Sequence, residues 1–194
     1  MTPELFGFIS AALAVIAYPP YFFSTLKGKT RPHAFSWVLW TLLTWVAFAI
    51  QVEGGAGPGA WSTGITGFCT TLIAVVSLKF GEKNITRSDW VAFVAGLCAI
   101  PLWIWTKDPT ASAILVTIID LFGFYPTYRK SWHRPHEEMM RTHALSLAKH
   151  AVSLPALVVI SIPTALYPAA LLLANVGLVG MIWMRRLKAE TRIS

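Results

Sequence analysis

The sequence predicts an all-α membrane protein with seven transmembrane helices, arranged as two parallel three-helix repeats joined by a linker helix. Composition, the placement of the cations and an internal repeat lead to this prediction. Of the 194 residues, 55% are hydrophobic and only 13% are charged, and the mean hydropathy is +0.58. Soluble chains carry about 25% charged residues, so this chain has too few to cover a water-exposed surface.

The apolar residues fall into segments that are long enough to cross a bilayer. A spanning helix needs about 20 mostly apolar residues, and short polar or Gly/Pro-rich connections leave no room for a soluble domain. Seven such spans are predicted: Leu5 to Leu26, Ala34 to Gln51, Trp61 to Leu78, Trp90 to Thr106, Ala111 to Trp132, Thr142 to Ile160 and Tyr167 to Met184.

The cations predict the orientation of these spans. Of the 16 Lys and Arg residues, 14 lie in the odd-numbered connections and the C-terminal tail. Lys and Arg accumulate in cytoplasmic loops, so we expect a multi-pass cell-membrane protein with its N-terminus outside and its C-terminus in the cytoplasm. The net charge of +7 then reflects topology, and no nucleic-acid partner is expected. The first span lacks the cationic start of a secretory signal and is expected to remain in the mature protein.

An internal repeat divides the spans into two groups. Tyr18-Pro19-Pro20-Tyr21 ends the first span and Tyr125-Pro126-Thr127-Tyr128 ends the fifth, at an offset of 107, and a basic stretch ending in Arg-Pro-His follows each. Four spans separate the copies, so the repeats are parallel. We predict a first repeat over residues 1–80, a linker helix over 81–109, a second repeat over 110–185 and a cytoplasmic tail over 186–194.

Paired units of this kind are common in transporters, which bind solute near the midplane and rock one unit against the other. Proline removes a helical hydrogen bond and allows a bend, so Pro19, Pro20, Pro126 and Pro155 are predicted hinges.

The 3+1+3 arrangement, the outside N-terminus and the proline–aromatic motif together resemble the SWEET and PQ-loop superfamily of seven-helix transporters. Asn175-Val-Gly177 in the last span is similar to the Asn-x-x-Gly signature of SWEET proteins, with one residue instead of two between Asn and Gly, and the resemblance implies that Asn175 contacts substrate. Tyr21 and Thr127 stand where the PQ motif has glutamine, the second span has no proline and the third has no asparagine to match Asn175. The resemblance therefore supports a shared helix architecture better than it supports a shared substrate.

Ionisable residues within the spans are few, and each needs a partner or a wet cavity. Asp120 in the fifth span is the one acid, and Lys149 and His150 in the sixth are within reach of a pair with it. Asp120 is either a proton-coupling site, as the resemblance to PQ-loop carriers implies, or half of a structural ion pair with Lys149.

Two polar or aromatic faces complete the candidate site. Thr142, Ser146, Lys149 and Ser153 share one face of the sixth span, flanked by His143 and His150, and either line a cavity or form a hydrogen-bonded seam. Trp37, Trp40, Thr41, Thr44, Trp45 and Phe48 fit one face of the second span, as a binding wall or as packing. The predicted substrate-binding residues are Trp40, Thr44, Ser146, His150 and Asn175.

These features predict a carrier for a small polar solute that works by alternating access. The resemblance implies a sugar first, then a vitamin precursor such as nicotinamide riboside, then an amino acid. The alternative is a receptor of the same fold that binds through His143, His150 and Lys149. No enzyme, cofactor or metal site is expected, since no nucleophile–base motif is present and neither Cys69 and Cys98 nor the histidines have metal-ligand spacing. The bilayer and a small-molecule solute are the expected partners; a homo-oligomer is compatible with the sequence, which leaves the oligomeric state open.

Overall fold

The computed structural model describes residues 2–82, 84–87 and 108–190, together with residues 90, 91, 93, 94, 97, 101 and 105. Within this part of the chain the secondary structure consists of helices without strands. The α-helices are α1 (Pro3–Leu26), α2 (Ala34–Glu53), α3 (Trp61–Phe80), α4 (Pro109–His133), α5 (Met140–Ser153) and α6 (Ile162–Glu190). Short 3₁₀ turns cover Gly57–Ala60, Pro135–Glu137 and Leu154–Ala156. The predicted fourth span lies largely outside the described residues.

Local sequence signals set several of the helix ends. Pro109 occupies the first turn of α4, and the Asp108 side chain caps that turn by accepting a 2.8 Å hydrogen bond from the Thr110 amide. The α1 helix ends in a Schellman motif: Gly28 adopts a φ of +68°, and the Lys29 amide donates to the Ser24 carbonyl at 3.0 Å. A side chain at Gly28 would be strained, because L-residues avoid this region of backbone space.

In the part of the chain that the structure describes, five helices are long and apolar enough to cross a membrane: those over Pro3–Leu26, Ala34–Glu53, Gly57–Phe80, Pro109–His133 and Ile162–Ala189. Their outward faces carry apolar residues such as Phe8 and Phe68, whereas polar residues such as Gln51, Asp120 and Lys149 are buried inside. Apolar residues outside and polar residues inside are the reverse of a water-soluble fold. The structure therefore suggests a membrane protein.

The prediction of a continuous sixth span from Thr142 to Ile160 is wrong. The α5 helix ends at Ser153 after 14 residues and gives way to the 3₁₀ turn Leu154–Ala156. Its length is about 21 Å at ~1.5 Å per residue, which is less than the ~30 Å of a bilayer core. Pro155, which lacks an amide hydrogen, lies in the turn that ends the helix, so it is not a hinge within a span.

The last helix is longer than the sequence predicted at both ends. It begins at Ile162, before the predicted start at Tyr167, and continues to Glu190, so part of the segment predicted as a tail is helical. It also contains Pro168, an internal proline that the hinge prediction did not include. Pro19 and Pro20 lie inside α1, and Pro126 lies inside α4.

The helices form a closed ring around a central axis. In one group α3 packs between α1 and α2, and in the other α6 packs between α4 and α5. The ring closes through contacts of α1 with α5 and of α2 with α4. The two groups therefore have the same internal order and meet through equivalent helices.

One end of the ring, which we call the basic end, contains residues 27–33, 81, 82, 84–87 and 134–139. Arg134 pairs with Glu82 at 2.6 Å, and the Lys130 ammonium donates to the Arg31 carbonyl at 2.6 Å. The α1 and α4 helices both end here, as do α3 and α6, so the two groups run in the same direction.

The two Arg-Pro-His segments are held in similar ways at the basic end. The Pro32 carbonyl accepts a 2.7 Å hydrogen bond from the Glu82 amide, just after α3. The Pro135 carbonyl accepts hydrogen bonds from the Arg186 guanidinium, in the last turns of α6. In each group the proline carbonyl is thus tied to the end of the third helix.

The opposite end of the ring is closed by apolar packing. Ala56, Ala60 and Leu157 form a small buried cluster, and the Val158 amide donates to the Ala56 carbonyl at 3.3 Å. Gly59 allows this contact, because a Cβ atom there would lie 2.6 Å from the Leu157 side chain. The ring is thus closed by charged residues at one end and by apolar residues at the other, and its polar interior lies between these two ends.

Candidate functional site

A small cavity of about 50 Å³ lies on the axis of the ring. We call it the axial cavity. Each of the six helices contributes to its wall, through residues that include Tyr18, Trp40, Thr66, Asp120, Lys149 and Asn175. Small-molecule sites in proteins are typically about 300–1,000 Å³, so the cavity is narrower than such a site in this conformation and would have to widen to admit a solute.

The structure brings most of the predicted site residues together in this wall. Asp120, Lys149, Trp40, Ser146, His150 and Asn175 all line the axial cavity, and His143 lies beside them. Thr44 does not line it. Its hydroxyl is 3.1 Å from that of Tyr167, which lies in turn against the Asp120 carboxyl. Thr44 therefore supports a neighbour of the site.

Asp120 lies near the middle of α4, and only 1% of its surface is exposed. Its Oδ1 atom has no hydrogen-bond partner among the described residues. The side chains of Tyr167 and Lys149 are the groups that act on it electrostatically. A buried carboxylate oxygen without a partner is costly, so it is the natural contact point for a group that enters the cavity.

Lys149 does not form the direct ion pair with Asp120 that the sequence suggested. Its ammonium donates to the Thr66 hydroxyl at 2.6 Å and to the Tyr18 hydroxyl at 3.3 Å, and no ion pair joins it to Asp120 within 4.0 Å. The ammonium also lies 5.5 Å from the centre of the Tyr18 ring. Lys149 and Asp120 thus line the same cavity without forming an ion pair across it.

The polar face of α5 serves both of the roles that the sequence left open. Thr142, Ser146 and Lys149 line the axial cavity, and each also bonds to another helix. The Thr142 hydroxyl donates to the Ala17 carbonyl at 3.1 Å, and the Ser146 hydroxyl is 3.4 Å from that of Tyr18. Ser153 instead bonds within its own helix, to the His150 carbonyl.

The aromatic face of α2 is split between two neighbours. Trp37 and Trp40 line the cavity, with ring centres 5.2 Å apart, and Phe124 of α4 lies 4.9 Å from Trp40. The Trp40 indole donates to the Asp120 carbonyl at 3.3 Å, in a space that Gly123 leaves open, since a Cβ atom there would lie 2.8 Å from the indole nitrogen. Trp40 therefore fixes the cavity wall beside Asp120.

Farther along α2, the remaining aromatic residues pack on α3. Trp45 lies over Gly67 and donates to the Thr71 hydroxyl at 3.2 Å, and Phe48 lies over Gly64. Thr41 bonds to the Trp37 carbonyl of its own helix. These residues belong to helix packing, outside the cavity wall.

A buried chain of polar contacts connects the basic end to the cavity. Glu138 pairs with the Lys130 ammonium through Oε2 and lies 3.3 Å from His143 Nε2 through Oε1. His143 Nδ1 lies 3.4 Å from the Asn175 side-chain oxygen, and the Asn175 amide nitrogen donates to the Leu171 carbonyl. We call Lys130, Glu138 and His143 the charged cluster.

The electrostatics of Glu138 reflect this cluster. Burial by itself would raise the pKa of the Glu138 carboxyl, but the Lys130 ammonium and the hydrogen bond and charge of His143 outweigh it and lower the pKa from 4.5 to about 2. Arg186 reinforces the same loop by donating to the Glu138 carbonyl at 2.7 Å. The carboxylate stays ionised at physiological pH and ties its loop to α4 and α5.

Asn175 and Gly177 have separate roles within their motif. Asn175 faces the cavity, as described above. Gly177 makes room for Tyr128 of the second tyrosine–proline motif, whose hydroxyl would lie 2.5 Å from a Cβ atom at Gly177. The two motifs of the second group thus pack against each other.

Sequence reasoning missed Tyr18, Thr66 and Tyr167 as parts of the site, and it missed Glu138. Tyr167 is the one tyrosine outside the two motifs, and Glu138 is an acid in a basic loop. Each was therefore unusual in its sequence context and could have been selected as a candidate on that ground. Among the described residues no group of three His, Cys, Asp or Glu side chains could hold a metal ion. Cys69 is a free, half-buried thiol, and Cys98 lies outside the described residues.

No protein-family model matches this chain, and the searches of curated proteins and of solved structures likewise found no match.

Proposed function

We propose that this protein is a membrane transporter that moves a small polar solute through the axial cavity by alternating access between its two three-helix groups. The observation that carries the proposal is that all six helices, from both groups, line one cavity on the axis of a closed ring. A solute held there contacts both groups at once. Movement of one group against the other would then open the cavity to each side of the membrane in turn.

The ends of the ring fit this mechanism. The basic end is closed by the Arg134–Glu82 ion pair and by the hydrogen bond from the Lys130 ammonium to the Arg31 carbonyl, both of which join the two groups. The other end is closed by contact of Leu157 with Gly59, also across the groups. Because both closures join one group to the other, rocking would break one while preserving the other. Pro19, Pro20 and Pro126 are the proposed bending points within α1 and α4.

The solute must suit a wall of aromatic rings, hydroxyls and charged groups. The resemblance to SWEET proteins makes a sugar the first guess, with nicotinamide riboside-like vitamins and amino acids as further classes. Aromatic rings such as Trp37 and Trp40 can stack on a sugar or a base, and Asn175 offers an amide. We place the protein in the cell membrane, with the basic end in the cytoplasm.

Uptake into proteoliposomes tests the proposal. Purified protein is reconstituted and supplied with radiolabelled monosaccharides, neutral amino acids and nicotinamide riboside, with protein-free liposomes as blanks. We expect saturable uptake or exchange of at least one solute, and its loss in Trp40→Ala. Trp45→Ala is the matched control, because Trp45 packs on α3 outside the cavity. Binding of a solute without accumulation or exchange would instead establish a receptor and overturn the transport proposal, as would the absence of both.

A further inference from the structure

The axial cavity contains two buried ionisable side chains, one acid and one base, that do not pair with each other. Asp120 and Lys149 are each 1% exposed, and neither forms an ion pair with a described residue. Removing a charge from water without a counter-charge is expensive. A neutral solute would bring a counter-charge to neither group, and a solute with a single charge would bring one to only one of them.

The unused hydrogen-bonding groups of the cavity match a solute with both charges. Asp120 Oδ1 is an acceptor without a partner among the described residues. The Lys149 ammonium has three N–H donors and gives two of them to Thr66 and Tyr18, so one is left. His150 Nδ1, beside Lys149 in the wall, also has no partner among the described residues.

Two aromatic residues of the wall, Trp40 and Phe124, lie beside Asp120, where a cation would be placed. Trp40 bonds to the backbone of Asp120, and Phe124 follows Asp120 by one turn of α4. The faces of such rings attract ammonium groups. Near Lys149 the wall contains the hydroxyls of Ser146 and Tyr18, which lie 3.4 Å apart, so that one can donate to the other and the remaining one to an anion. The Thr66 hydroxyl donates to the Ser62 carbonyl instead.

From these observations we infer that the solute of the axial cavity is a small zwitterion, whose cationic group binds Asp120 and whose anionic group binds Lys149. The inference rests on the transport proposal and names the substrate class of the same site. Because it requires both charges on one molecule, it excludes neutral sugars, simple cations and simple anions as good substrates.

A matched series of ligands tests the inference directly. Neutral α-amino acids and glycine betaine are compared by thermal shift and by competition for uptake. Each amino acid is set beside its amide, which keeps only the cation, and its N-acetyl form, which keeps only the anion. Monosaccharides are the neutral members. We expect at least one zwitterion to bind, and its two singly charged forms to bind roughly tenfold more weakly or worse, as loss of a hydrogen bond to a charged group predicts. The inference is overturned if no zwitterion binds, or if an amide, an N-acetyl form or a sugar binds as well as the best zwitterion.

Variants assign each charge to its partner. Asp120→Asn should remove the preference for the zwitterion over its N-acetyl form, and Lys149→Gln should remove the preference over its amide. A general loss of folding would weaken all ligands together and leave these two ratios unchanged. Asp108→Asn and Lys27→Gln repeat the same substitutions outside the cavity and should leave both ratios at their wild-type values. Unchanged ratios in Asp120→Asn and Lys149→Gln proteins that unfold at the wild-type temperature would overturn the assignment.

The outcomes separate this inference from the transport proposal. Saturable uptake of a sugar with no binding of a zwitterion would support the transport proposal and overturn the inference that the solute is a zwitterion. Binding of a zwitterion without uptake or exchange supports the substrate class and overturns transport.

Discussion

The Tyr128 hydroxyl donates a 2.7 Å hydrogen bond to the Ala174 carbonyl, next to the residue that faces the cavity, Asn175. This bond links the second tyrosine–proline motif on α4 to the asparagine motif on α6. It depends on Gly177, since a Cβ atom there would lie 2.5 Å from the Tyr128 hydroxyl. The position of Asn175 in the cavity thus depends on a residue that does not touch the cavity itself.

Gly177→Ala should therefore destabilise the protein and weaken solute binding. Forcing a methyl group into a filled space typically costs about 1–3 kcal/mol. Gly180→Ala is a matched control on the same helix, because a Cβ atom at Gly180 would meet open space within 4 Å. The control should be neutral or stabilising by about 0.5–1 kcal/mol, as helix propensity predicts. Thermal unfolding in detergent measures both, and equal stability of the two variants would contradict the account.

Removing only one partner of the Lys130–Glu138 ion pair should cost more stability than removing both. Glu138→Gln leaves the buried Lys130 ammonium without its counter-ion, which we expect to cost about 3 kcal/mol of stability. Adding Lys130→Met removes the orphaned charge and should restore part of the loss. A double variant that is less stable than Glu138→Gln alone would show that Lys130 stabilises the fold in some other way.

The same carboxyl predicts how stability changes with pH. The pKa of Glu138 is lowered from 4.5 to about 2, so its contribution is complete above about pH 4.5 and is lost as the pH falls through about 2. In this window the wild-type protein should lose more stability than Glu138→Gln does. Unfolding temperatures of both proteins, measured from pH 6 down to the lowest pH at which they remain folded, test this. Parallel curves would contradict it.

Asp120 is also the candidate for proton coupling. We expect Asp120→Asn to abolish accumulation driven by a pH gradient while solute exchange persists at saturating solute, because exchange needs no net proton movement. Asp108→Asn, at the exposed cap of the same helix, should keep both activities. Accumulation driven by the pH gradient at the wild-type level in Asp120→Asn would exclude this role.

The long apolar helices were predictable because composition alone determines them. The segments now seen as α1, α2, α3 and α4 were predicted with ends close to those observed. The end of α5 was not, because Leu157 to Ile160 continue the apolar run and hide the break that Pro155 marks. The parallel repeat stays a prediction, which the shared packing order of the two helix groups supports.

The site was predictable only in part, for a physical reason. Buried polar residues stand out in an apolar helix, so Asp120, Lys149 and Asn175 could be found individually. Their partners come from distant parts of the chain: Thr66 bonds to Lys149 across 83 positions, and Tyr167 meets Thr44 across 123. Sequence spacing within a helix carries no information about such contacts. For the same reason the sequence could not decide whether Asp120 and Lys149 form a direct ion pair, and the structure shows that they do not.

Access to the axial cavity from the two faces of the membrane tests the central claim most directly. Ser146→Cys, in a protein with Cys69 and Cys98 replaced by alanine, places a single thiol in the cavity wall. A membrane-impermeant methanethiosulfonate reagent is applied to one face of oriented proteoliposomes at a time, with and without a transported solute. Alternating access predicts that the thiol reacts from both faces and that solute slows both reactions. Reaction from one face alone, under every solute and pH gradient, would contradict it.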